Sequence, residues 1–142
     1  MLRIRTVVVV ALLAAALFIP APVAAADDDW IAVTVASRHH KRGYQEHNWG
    51  LGFEHGINER WRAIGGFYLN SYDRQTVYAG VLYQPWRFGD WRIGGAALLA
   101  TGYEGYPAPM AYPVISYERK SWGVNFGPVL PTVVGVQIKF KY

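Results

Sequence analysis

The last nine residues, VGVQIKFKY (Val134 to Tyr142), alternate without a break. Val134, Val136, Ile138, Phe140 and Tyr142 share one parity, and Gly135, Gln137, Lys139 and Lys141 share the other. A period of two is the mark of a β-strand with unlike faces. On a buried face of a soluble sandwich, Lys139 and Lys141 would be costly. On the lumen side of a membrane barrel, with water and counter-charges in reach, they are ordinary.

The same period runs upstream. Ile31, Val33 and Val35 alternate with Trp30, Ala32, Thr34 and Ala36. Ala63, Gly65, Phe67 and Leu69 alternate with Arg62, Ile64, Gly66, Tyr68 and Asn70. No stretch after residue 27 carries a convincing helical period. Eight strands are expected, at about 30–38, 49–56, 61–70, 76–85, 91–101, 111–118, 122–129 and 133–142. Their connections alternate between short turns (57–60, 86–90, 119–121) and longer loops (39–48, 71–75, 102–110). Outer-membrane barrels have that layout, with turns in the periplasm and loops outside. Trp30, Trp49, Trp61, Trp86, Trp91 and Trp122 fall mostly at strand ends, which suits rings seated at headgroup depth. The chain also ends on an aromatic of the apolar parity, Tyr142, resembling the assembly signal of such barrels.

At the other end, Arg3 and Arg5 precede an apolar run from Thr6 to Pro20, and Ala24-Ala25-Ala26 precede Asp27-Asp28-Asp29. This reads as a secretory signal peptide, residues 1–26, leaving one domain at 27–142. Loss of Arg3 and Arg5 lowers the formal net charge from +4 to +2. With no Lys/Arg block either, nucleic acid is not an expected partner. Cysteine is absent, so a small exported domain must gain stability without disulfides. Closing a sheet inside a bilayer does so, because every backbone group pairs. The expected fold class is therefore all-β: an eight-stranded antiparallel transmembrane β-barrel of outer-membrane type, integral to the bacterial outer membrane. A soluble lipocalin-like barrel is the alternative.

With both termini periplasmic, the outward-running strands carry His39, His40, Asn70, Ser71, Tyr103, Glu104 and Pro131 to one rim. Interiors of barrels this small are normally packed. Yet Gly66, Gly80, Gly94, Gly95, Ala32 and Ala36 fall on inward or near-inward positions. They either permit tight curvature or leave, beside Tyr68, a slot for an acyl chain. Pro113 and Pro128 lie next to strand interiors, where a missing ladder donor would open lateral gaps for lipid. Pro107 and Pro109 read as loop punctuation.

Several segments carry a family resemblance, in order, through nearly all of residues 30–142. Tyr44-Gln45-Glu46-His47-Asn48-Trp49-Gly50-Leu51-Gly52-Phe53 resembles the Y-N-E-R-P-W-G-G-G-F segment of the outer-membrane lipid A palmitoyltransferases. Phe67-Tyr68-Leu69-Asn70-Ser71-Tyr72-Asp73 is similar to their F-K-D-S-W-N segment. The Pro-rich lead-in to the sixth strand, residues 106–113, and the ending Gln137-Ile138-Lys139-Phe140-Lys141-Tyr142 are similar as well. The resemblance implies an eight-stranded barrel with an interior acyl pocket that moves a palmitoyl group from phospholipid to lipid A. It implies a catalytic His near the end of the first strand and an Asp-Ser pair in the next surface loop. Ser71 matches that serine, whereas the aspartate position is occupied by Asn70. An aromatic-His step would point to His39, while the parity of Ile31, Val33 and Val35 turns His40 toward the lumen; both stay candidates. The family's N-terminal amphipathic helix is missing, since the first strand begins almost at the cleavage site.

Acyl transfer requires a group to manage the attacking hydroxyl's proton and donors for the oxyanion. His39 or His40 could be the base, and Ser71 a nucleophile or an oxyanion donor. Asn70 can donate through its amide, and Asp73 could orient the His. The alternative is a non-catalytic barrel with a structural or lipid-binding role. Expected partners are phospholipid, lipid A and the outer-membrane assembly machinery, with the chain acting as a monomer. No cofactor and no metal are expected, since no ligand set stands at metal spacing.

Overall fold

The alternating runs become strands because each carries apolar or aromatic residues on one parity and small or polar ones on the other. They are β1 Trp30–His39, β2 Gly50–Gly56, β3 Trp61–Leu69, β4 Gln75–Phe88, β5 Trp91–Ala100, β6 Ala108–Glu118, β7 Trp122–Val129 and β8 Val133–Lys141. The computed structural model describes residues 28–39, 43, 47–103, 107–129 and 133–142, except the side chains of Arg38, His39, Pro128, Val129 and Val133. The expected signal peptide, residues 1–26, lies outside the described residues. Every neighbouring pair is antiparallel, and β8 closes on β1 from Trp30↔Lys141 to His39↔Val133. The result is a closed eight-stranded barrel.

Two strands outrun their expected bounds. β4 continues to Phe88 through the segment read as a turn, because the register against β5 shifts between Tyr83 and Trp86. The extra residue at Gln84–Pro85 absorbs the proline, which a regular ladder would not tolerate. β6 begins at Ala108 and takes in Pro109, which had read as loop punctuation.

The barrel is inside-out relative to a soluble domain. Ile31, Val33, Leu51, Phe67, Ile138 and Phe140 face outward and are exposed, while Arg62, Lys139 and Glu54 are buried at 2%, 0% and 3% exposure. At the end carrying the short turns, outward aromatics form a belt. Trp61 packs against Tyr83 with ring centroids 4.3 Å apart, Trp91 meets Tyr117 at 5.0 Å with the rings inclined, and Tyr117 meets Trp122 at 5.9 Å. Trp30 does not join it. It shares the inward parity of Ala32, and Lys139 Nζ sits 4.9 Å from its ring centroid. An indole under ammonium and guanidinium groups gains a cation–π attraction that an outward position would forgo.

Among the described residues, two ladders are incomplete at the loop end. β1 pairs with β2 only from Trp30↔Glu54 to Thr34↔Gly50. β6 pairs with β7 only from Ile115↔Phe126 to Glu118↔Gly123. The second break has a sequence cause. Glu118 N–H donates to the Asp90 carbonyl on the β5 side, so the odd-numbered residues of β6 direct their backbone groups toward β7. The Trp122 carbonyl accepts from Arg119, so the even-numbered residues of β7 face β6. Beyond Ile115↔Phe126, the next position where the strands would exchange hydrogen bonds sets Pro113 against Pro128, and neither has an N–H.

Candidate functional site

A cavity of about 410 Å³ occupies the loop-side part of the lumen. Its wall divides by strand. Over β3 to β6 it is aliphatic and aromatic, built by Ile64, Leu82, Ala96, Leu98, Met110 and Val114 with Tyr68, Tyr78 and Tyr112. Over β7, β8, β1 and the approach to β2 it is polar, built by Asn125, Gln137, Thr34, Ser37 and Asn48. Leu98 with Tyr78, and Leu82 with Ala96 and Val114, pack into two small clusters on the aliphatic side.

A charge network closes the cavity below. Glu54 accepts from Arg62 Nη1 (2.9 Å), Lys139 Nζ (2.9 Å) and Asn125 Nδ2 (2.6 Å). Glu118 accepts from Arg62 Nη1 and Lys139 Nζ, each at 2.6 Å. Arg92 Nε lies 3.0 Å from Glu118 Oε2 as an ion pair without hydrogen-bond alignment. Asp28, just before β1, accepts from Arg62 Nε (2.9 Å), Arg62 Nη2 (2.6 Å) and the Trp30 indole N–H (2.8 Å). Burial pushes the Asp28 carboxyl up, but Arg62, the Trp30 donor and Arg92 together hold it below the ordinary carboxylate value. Three cations against three carboxylates make burial of this charge tolerable. The expectation of counter-charges for Lys139 is met by Glu54 and Glu118. The sequence reading misses Glu54, although its alternation with Leu51 and Phe53 is a signal that places it inward.

The mouth is built on the β3–β4 hairpin. Asn70 N–H donates to the Arg74 carbonyl (2.8 Å) and Asp73 N–H to the Asn70 carbonyl (3.0 Å). Asp73 takes the left-handed conformation, φ 58°, that such a three-residue loop requires of its last member. The Asn70 side chain is fully buried and fully used. Nδ2 donates to Thr76 Oγ1 (3.1 Å) and the Gly102 carbonyl (3.0 Å), and Oδ1 accepts from Tyr72 N–H (2.9 Å) and Arg74 N–H (3.1 Å). Asn70 therefore organises the loop and ties it to the β5–β6 connection, with no donor left for an oxyanion. Ser71 is half-buried and lines the cavity. Asp73 is exposed on the turn. Tyr68 lines the cavity as expected, its hydroxyl 2.8 Å from that of Tyr103. Tyr72 meets Tyr103 edge-on at 6.3 Å.

Other expected residues fall differently. Gly66, Gly80 and Gly94 are not among the lining residues, because they serve close backbone approach. A Cβ on Gly80 would collide with the Ala97 carbonyl oxygen, and one on Gly94 with the Tyr83 carbonyl oxygen at the β4 bulge. Gly95 and Ala36 take outward register, opposite Pro113 and Val136. For the histidines, the β1–β8 register shifts between Thr34 and Ala36, so Val35 is an extra residue and the parity beyond it flips. Ser37 is thereby on the lumen side, bonding Asn48, and His39 takes the register parity of Ser37. Strict alternation from Val35 therefore does not extend to the end of β1, and both His39 and His40 stay candidates. His40, and the rim residues Glu104 and Pro131, lie outside the described residues. Among the described residues, no group of His, Cys, Asp and Glu stands ready to hold a metal. The chain matches no protein-family profile, and no curated protein matches its sequence.

Proposed function

We propose that this chain is an outer-membrane β-barrel that draws a lipid acyl chain into its cavity and transfers it from phospholipid to lipid A at the outer leaflet. The observation that carries the reading is the cavity itself. It is walled by Leu82, Leu98, Met110 and Val114 on one side, has Ser71 at its mouth, and stands beside a sheet wall whose ladder stops at Ile115↔Phe126. Its volume, about 410 Å³, is of ligand size. The exposed apolar exterior and aromatic belt suit a bilayer.

In this reading a chain enters laterally where Pro113 and Pro128 withhold ladder donors, and its ester carbonyl comes to rest near Ser71. A lipid A hydroxyl attacks that carbonyl. His39 or His40 takes the hydroxyl proton and returns it to the departing lysophospholipid oxygen, so one ester bond forms as another breaks. Ser71 donates to the oxyanion or forms a transient acyl ester.

A second reading, a lipid-binding barrel without transfer, is favoured by one feature: Asn70 stands where the resemblance implies an aspartate, and its amide is spent on the loop. Mass spectrometry of lipid A from cells with and without the protein separates the two. Transfer predicts an added acyl mass that disappears in Ser71→Ala. An unchanged lipid A profile, with the barrel folded in the membrane, rejects the enzyme reading.

A further inference from the structure

Resting on the acyl-binding reading, we infer that the paired hydroxyls of Tyr68 and Tyr103 are the donor that seats the carbonyl oxygen of the acyl ester at the cavity mouth. The two hydroxyl oxygens lie 2.8 Å apart, and both side chains line the cavity. Two hydroxyls joined by one bond spend one proton on each other, whichever of them donates. Among the described residues, no acceptor is in place for the other proton. An ester carbonyl oxygen has the complementary need, since it accepts and has nothing to donate.

The pair is placed by the same residue that shapes the Ser71 turn. Tyr68 is the penultimate residue of β3, opposite Thr76. Tyr103 follows Gly102, whose carbonyl accepts from Asn70 Nδ2. Asn70 thus adjoins Ser71 in the chain and holds the approach to Tyr103 across the mouth. Each ring has a further aromatic neighbour, Tyr78 at 5.9 Å from Tyr68 and Tyr72 at 6.3 Å from Tyr103. A donor held in this way is already aimed when charge grows on the carbonyl oxygen during attack, and its proton stays on the tyrosine throughout. The pair also stands on the apolar side of the cavity. Tyr68, Tyr103 and Met110 all pack on the cluster of Tyr78, Leu98 and Ala100. A chain lying along Leu98 and Met110 therefore has its ester end on the same side as the pair.

The test uses the mature chain refolded in detergent, with a diacyl phospholipid and its diether analogue of equal chain length as probes, competed and read by native mass spectrometry. The ester form is expected to bind about tenfold tighter, the worth of one good hydrogen bond. In the double variant Tyr68→Phe with Tyr103→Phe, which keeps both rings, that preference should vanish while diether binding stays at the parent's level. The infrared band of an isotope-labelled ester carbonyl should lie lower in frequency on the parent than on the double variant. Equal binding of ester and ether by the parent overturns the inference and leaves acyl binding intact. So does a preference, or a band position, that is the same in the double variant. Binding of neither lipid overturns both.

Discussion

Carried one hydrogen-bonded pair past Ile115↔Phe126, the β6–β7 register sets Pro113 opposite Pro128, and the ladder stops there. Either proline alone would cost one donor. Together they empty a whole position of its hydrogen-bond exchange, on the outward parity, beside Val114 of the cavity wall. Among the described residues, this is one of two places at the loop end where the ladder of the closed barrel is interrupted, the other lying between β1 and β2 beyond Thr34↔Gly50.

Replacing both by alanine, Pro113→Ala with Pro128→Ala, returns two N–H donors to that position. The ladder should extend, stability should rise by about 1 kcal/mol, and entry of a phospholipid acyl chain should slow at least severalfold. The rate is read by stopped-flow with a fluorescent phospholipid. An unchanged rate would place the entry route elsewhere.

Asn70 makes the second prediction. Asn70→Asp, which brings back the aspartate that the resemblance implies, should not create a better enzyme. A carboxylate there faces the Gly102 carbonyl and Thr76 Oγ1 where an amide NH₂ now donates. Loss of these bonds, with a buried charge, should cost about 2 kcal/mol or more and loosen the loop that presents Ser71. Thermal denaturation in detergent measures it; a variant as stable as the parent would contradict the assignment.

Lys139 supports two carboxylates at once, Glu54 and Glu118. Lys139→Met leaves both short of a partner deep in the lumen and should destabilise by roughly 3–5 kcal/mol. Adding Glu54→Gln should recover part of that loss, because it removes one of the uncompensated charges. Unfolding in urea with lipid vesicles gives the comparison, and additive losses would argue against coupling through the network.

Asp28 gives a pH dependence of fixed sign. Its carboxyl is held below the ordinary value in the folded barrel. Its contribution is therefore complete above the unfolded value near 3.9 and declines as pH falls through the folded one. The parent should lose stability on acidification below about pH 4, and Asp28→Asn should lose less over the same window. Parallel acid curves for the two would remove Asp28 from the network.

The period-two pattern made the eight strands legible, as the ending VGVQIKFKY shows: its parity survives residue for residue in β8. What parity could not convey was where it breaks. The extra residue at Val35 breaks the alternation of β1 and sets Ser37 on the lumen side, and the one at Gln84–Pro85 lets β4 run through an expected turn. Trp30 had the composition of an interfacial ring but the parity of a lumen residue, and parity prevailed. Gly80 and Gly94 were readable as space, yet the space is filled by neighbouring backbone. Asn70 was readable as a chemical group, but its role comes from four bonds to atoms that sequence does not place beside it. Pro113 and Pro128, by contrast, were legible as ladder breakers, and only their mutual register was missing.

The central claim is that an acyl chain lies inside the barrel, and strand parity offers a direct measurement. A phospholipid with a photoactivatable diazirine late in one acyl chain is incorporated into bilayers with the barrel, irradiated, and the adducts mapped by peptide mass spectrometry. Inward Leu98, Met110 and Val114 line the cavity, whereas their neighbours Leu99, Ala111 and Ile115 take the outward parity. The account predicts adducts on the inward set alongside those that the surrounding bilayer leaves on the exterior. Adducts confined to outward residues, with Leu98, Met110 and Val114 unlabelled, would contradict it.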